Sequence, residues 1–214
     1  MGKWIGGEPL SIETLSPEVG DRVERTFAAL RKRGFEPSFA GDRAAALAAV
    51  LAMLPTGAAV AHGSSVSLQE IGLVDHLKRP DSGYRYINTE VMAENDPARR
   101  MRLRARLLPE VDYFLGSLQA ICQTGEAIAS DGSGSRVSAY AFGPPHVIWV
   151  AGINKLVPTV EDGIRRVREV ALPLEDRRMK DLGAPGSMIG KLVVFERERP
   201  GRISLVLVGE PLGY

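Results

Sequence analysis

Cysteine is almost absent from this chain. The 214 residues contain one, Cys122, so no intrachain disulfide can form and a cytoplasmic setting is expected. Histidine is scarce as well. His62, His76, His146 and that cysteine show no metal-ligand spacing, which argues against a metal centre. No charge of one sign dominates. A formal net charge of +1 gives no reason to expect nucleic acid. The longest apolar run, residues 44–55, falls far short of the ~20 residues of a membrane span, so no membrane is expected. The first nine residues also lack the apolar core of a secretion signal.

Several standard catalytic sequences are missing too. There is no G-x-S-x-G elbow. Gly186 to Lys191 resembles a P-loop, but its spacing is one residue short and Leu192 stands where Ser or Thr is needed. Gly132-Ser133-Gly134 lacks the third glycine of a dinucleotide fingerprint, because Val137 occupies that place.

What is present is the pattern of an α/β domain. A chain of this length buries roughly 70% of its unfolded surface and needs no staple. Residues 1–15, bearing Gly and Pro, read as an arm that contacts a partner; residues 16–214 read as one domain. Ser16-Pro17-Glu18 opens a helix with Val23, Phe27 and Leu30 inside, and Gly34 ends it. Asp42 caps a second helix. Strands are expected at 35–40, 57–61, 84–88, 113–117, 119–128 and 147–151, with helices at 65–77 (broken near Gly72), 97–108, 136–142, from Thr159, and at 173–181. Strands alternating with helices imply a mostly parallel sheet with helices on both faces. Arg199-Pro200-Gly201-Arg202 reads as a hairpin turn joining 192–196 to 203–208 as an antiparallel pair, which would make the sheet mixed.

Three connections carry candidate chemistry. After the strand ending at His62 come Gly63, Ser64, Ser65 and Ser67, then Gln69 and Glu70 one helical turn further on. In open α/β sheets, ligands bind beyond the carboxyl ends of strands, where glycine admits close approach and serine donates to an anion. A plain capped helix would carry the same residues. The second connection, Asp131, Gly132, Ser133, Gly134, Ser135 and Arg136, adds a carboxylate and a cation able to grip a carboxylate or phosphate. A solvated turn with a surface arginine is the plainer alternative. The third places Asn154 and Lys155 directly after the strand 147–151, suited to anion contact or proton transfer; an exposed loop lysine is the plainer alternative. Arg99, Arg100, Arg102, Arg104 and Arg106 spread around one helix and read as a solvated or subunit-facing surface. His76 reads as a helix-surface residue, and His146, before a strand, as structural.

These pieces resemble the LUD-domain family, the lactate-utilisation proteins of bacteria. The resemblance rests on residues 63–73, 131–137, Gly143-Pro144, 150–157 and 207–214, and runs from about Arg22 to the C-terminus. It implies a fold like the ribose-5-phosphate isomerase, glucosamine-6-phosphate deaminase and CoA-transferase group. It implies a subunit or accessory role in oxidation of L-lactate to pyruvate, beside iron–sulfur partner proteins. Some relatives carry a cysteine cluster before the last two strands. Residues 183–191 hold none, so no cofactor is expected on this chain and the clusters belong to partners.

The expected ligand is thus a small anionic metabolite. His62, Gly63, Ser64, Ser65, Ser67, Gly132, Gly134, Ser135, Arg136 and Asn154 would bind it. Glu70 or Asp131 would move a proton, and Lys155 would stabilise negative charge. The rivals are an isomerase or transferase acting on a phosphorylated or CoA-linked substrate, and a non-catalytic scaffold. Assembly into a homo-oligomer stays open.

Overall fold

The structure is a computed structural model and describes residues 11–214. Most of the expected arm lies outside the described residues; Ile12–Thr14 form a short 3-10 turn that leads into the first helix.

The chain alternates as the sequence implies. Pro at the first turn starts α1 (Pro17–Lys32), which buries Val23, Phe27 and Leu30 on one stripe. Then follow β1 (Glu36–Ala40), α2 (Arg43–Met53), β2 (Ala59–His62), α3 (Val66–Glu70) and α4 (Leu73–Lys78). The Asp42 side chain accepts from Ala45 N–H at 2.7 Å and fixes the start of α2. Gly72, at φ +78°, separates α3 from α4 as expected. Next come β3 (Arg85–Tyr86), α5 (Ile87–Ala93), α6 (Pro97–Leu107), β4 (Tyr113–Gly116), β5 (Ala120–Cys122), β6 (Ala127–Asp131) and α7 (Ser135–Ala141). The chain closes with β7 (His146–Gly152), β8 (Leu156–Val157), α8 (Val160–Arg166), α9 (Leu172–Asp181), β9 (Lys191–Phe195) and β10 (Ile203–Val208). A π-helical turn, Val167–Ala171, joins α8 to α9.

Two sheets form. The central one has the order β1-β10-β7-β4-β2-β3, and every pairing in it is parallel. Helices α2, α3 and α4 cover one face, with Val50, Leu68, Leu73 and Leu77 against Leu115, Val150 and Val206. The other face packs on α1, α5, α7 and the second sheet through Phe27, Phe35, Tyr140, Trp149 and Phe195. The second sheet has the order β8-β5-β6-β9 and mixes parallel and antiparallel pairings. Helix α8 lies behind it, packing Val160 and Ile164 on Ile128 and Val157.

The α/β class with a mostly parallel sheet therefore holds, but two expectations need correction. The closing antiparallel pair does not form. β10 inserts between β1 and β7, while β9 joins the second sheet beside β6. β10 is buried along nearly its whole length, as a central parallel strand must be, whereas β9 is half exposed. The strand expected at 84–88 shrinks to Arg85–Tyr86, because α5 begins at Ile87.

Candidate functional site

The parallel strands aim their carboxyl ends at one rim. There β2 runs into Gly63, β4 into Ser117 and β7 into Lys155, and β6 of the second sheet delivers the Asp131 loop to the same place. A cavity of about 950 Å³ opens between them, lined by Gly63 to Ser67, Ser117, Ser130 to Arg136 and Lys155. All three connections singled out from the sequence reach it.

Lys155 forms the floor. It is 2% exposed, and its Nζ donates to Ser117 Oγ at 2.9 Å and to Ser67 Oγ at 3.0 Å. Among the described residues it makes no ion pair. Burial, with the nearby charges of Arg166 and Arg136, pulls its pKa down to about 7. Ser117 is held from behind: its N–H donates to Tyr140 Oη at 3.0 Å, and that hydroxyl donates to Ser117 C=O at 3.0 Å. Gly116 makes this possible, since a Cβ there would lie 1.7 Å from Tyr140 Oη.

Arg136 bridges two connections. Its guanidinium donates to Ser64 C=O at 2.9 Å and to Ser130 C=O at 2.5 Å, while Nε has no hydrogen-bond partner. Its aliphatic stem lies across Gly63, where a Cβ would come within 2.7 Å of Arg136 Cδ. The close approach that Gly63 allows is thus filled by Arg136. Asp131 organises its own loop. It accepts from Ser133 N–H at 3.0 Å, Gly134 N–H at 3.1 Å and Arg136 N–H at 2.8 Å. Burial alone would raise its pKa, but these donors and the Arg136 charge hold it below the ordinary value.

The other expected residues lie partly at this centre and partly beyond it. Ser65 caps α3, its Oγ accepting from Leu68 N–H at 3.3 Å. Ser135 Oγ faces Arg104 at 3.5 Å. Gly132 and Gly134 line the cavity, Gly134 at φ +96° before α7. His62 Nδ1 meets Gly63 C=O at 2.7 Å and Nε2 meets Tyr86 Oη at 2.5 Å. A neutral ring satisfies both contacts, and burial lowers its pKa. Glu70 and Asn154 lie outside the cavity lining. Both fasten the C-terminal segment: Gly213 N–H donates to Glu70 Oε2 at 2.7 Å, Leu212 N–H donates to Asn154 Oδ1 at 3.0 Å, and Asn154 Nδ2 donates to Gly213 C=O at 3.2 Å.

Sequence reasoning missed Ser117 and Tyr140, and it missed the group formed by Glu175, Arg178 and Tyr214. Arg178 grips Glu175 with two bonds of 2.8 Å and donates to Tyr214 Oη at 3.0 Å. Of the arginine-rich run, Arg104 lines the cavity, while Arg99, Arg102 and Arg106 are exposed. Arg104, Arg136, Lys155, Arg178 and Lys191 face the cavity against the carboxylates Asp131 and Glu175, so its potential is positive.

A model of the LUD domain matches residues 23–208. The chain belongs to the LUD domain family. This LUD domain is also similar to the crystal structure of a DUF162 family protein from Deinococcus radiodurans. The TM-score is 0.55 at 15% identity, with 94% of this chain and 100% of that chain covered. That likeness speaks for the fold: a mostly parallel central sheet flanked by helices, of the type the sequence resemblance implies. No curated protein matches this LUD domain. Its family ties it to lactate utilisation in general terms. No described helix is long and apolar enough to cross a membrane.

Proposed function

We propose that this LUD domain binds an organic anion, a carboxylate or a phosphorylated metabolite, and serves in oxidation of L-lactate to pyruvate beside iron–sulfur partner proteins. One observation carries the binding half of this reading. A buried ammonium, Lys155, stands on the cavity floor with two hydroxyls as partners and no carboxylate in ion-pair range among the described residues. A buried cation without a counter-ion is costly unless an anion completes it. The family supports the pathway half.

In this reading Lys155 meets the anion, and Ser67 and Ser117 orient it through their hydroxyls. Arg136 and Asp131 keep the two loops in register instead of touching the reacting atoms. A Lys155 near neutral pKa also serves as the proton carrier. Calorimetry with lactate, pyruvate and a sugar phosphate, on wild type and Lys155→Met, tests it. Binding that survives unchanged in the variant defeats the assignment of Lys155.

A further inference from the structure

The cavity is far larger than lactate. At about 950 Å³ it stands at the upper end of the ~300–1,000 Å³ typical of sites for drug-sized ligands. Its walls also divide by chemistry. The end at Arg136 and Lys155 is polar and cationic. The end between α5, α6 and β4 is apolar, faced by Val91, Met101, Ala105, Leu108, Phe114 and Leu118.

Arg104 also faces the cavity from α6, while the other polar side chains near the apolar end are committed to the protein. Asn88 spends both ends of its amide on β2: its Oδ1 accepts from His62 N–H and its Nδ2 donates to His62 C=O, each at 2.9 Å. His62 itself is engaged by Gly63 and Tyr86. At the rim, Met92 and Met101 are 60% and 46% exposed, leaving flexible apolar surface uncovered beside the opening. A cavity built only for a short hydrophilic acid has no use for such a wall.

We infer that the occupant is an amphipathic organic anion, with its charged head at Lys155 and an acyl chain or ring system lying in the apolar gallery between α5, α6 and β4. This rests on the anion reading above and gives it a substrate class. Head and tail contribute separately: the head through Lys155, Ser67 and Ser117, the tail through apolar area removed from water.

Calorimetry with straight-chain monocarboxylates from propanoate to decanoate, below their micelle concentrations, tests the inference. Matched primary alcohols serve as the uncharged series. Affinity for the acids is expected to rise about fourfold per added methylene until the gallery is full. Ala105→Trp, an exposed position on α6 that faces the gallery, is expected to flatten that rise and leave propanoate binding unchanged. Met101→Gln is the milder second variant and is expected to lower the rise. Acids that bind with one affinity at every length overturn the gallery while the anion reading stands. Alcohols that bind as tightly as acids overturn the charged head and the anion reading with it. A rise that persists in both variants places the tail elsewhere and overturns the inference.

Discussion

Lys155 Nζ lies 2.9 Å from Ser117 Oγ, and Ser117 is in turn clamped through its backbone by Tyr140. A lysine and a serine from different strand ends are thus held together on the cavity floor by a tyrosine from α7. The burial of that lysine governs how the site responds to pH.

The pKa of Lys155 is about 7 in the folded chain, against an ordinary 10.5. Between those values the folded chain binds fewer protons than the unfolded one. Stability therefore rises with pH across roughly 7 to 10.5, and the full cost of burying the ammonium is felt below 7. Lys155→Met is expected to stabilise the fold by about 1–3 kcal/mol at pH 6, with the gain shrinking towards pH 10. Urea unfolding at both pH values checks it. Anion affinity of the wild type should fall between pH 6 and pH 9 as the ammonium loses its proton.

Tyr140 is fully buried, and its ring stands edge-on to Phe114, Trp149 and Phe195. Tyr140→Phe keeps that packing and removes the hydroxyl, leaving Ser117 N–H and C=O without their partner. A loss of about 1–3 kcal/mol is expected from chemical denaturation. Gly116→Ala drives a methyl into the same hydroxyl, and about 3 kcal/mol is expected.

Asp131 contributes through its charged form. Its pKa is held below the ordinary 3.8, so the contribution is present above that value and is lost as pH falls through the folded pKa. Asp131→Asn is expected to cost about 1–3 kcal/mol at pH 7 and less at pH 3. Unfolding curves at the two pH values measure the difference.

Cys122 is buried in β5, and burial together with the charge of Glu126 pushes its thiol up to about 12. The folded protein should not react with a thiol reagent at pH 8. In urea the same thiol should react at the rate of a free cysteine.

Much of this architecture can be read from local pattern. Asp42 announces its helix, Gly72 its break, and the apolar run 147–151 its central strand, because each signal acts within a few residues. The partners of β10 cannot be read this way. The turn at 199–202 is real, with Arg202 N–H donating to Arg199 C=O at 3.3 Å, yet it joins strands of two different sheets. Turn chemistry fixes how the chain reverses, not which distant strand accepts it. The stretch Ile203–Val208, apolar but for Ser204, is the better guide, since it needs cover on both faces.

The candidate site divides along the same line. Gly63 to Ser67, Asp131 to Arg136 and Lys155 are contiguous with strand ends and can be found from sequence order. Ser117 sits in an unremarkable stretch, and Tyr140 is one more apolar position on a short helix. Only long-range packing joins them. Glu70 and Asn154 lie beside the rim residues in sequence, but their side chains turn to the C-terminal segment.

The pairing order of the central sheet bears on how the molecule is made. β1 pairs within its sheet only with β10, and Glu36 and Ser204 are separated by 168 positions along the chain. A ribosome working at ~5–20 residues per second leaves β1 without a mate for roughly ten to thirty seconds. During vectorial synthesis the emerging polypeptide must therefore carry an unfinished edge, with Phe39 and its neighbours open to chaperones or to other nascent chains, until the final strand slots between β1 and β7.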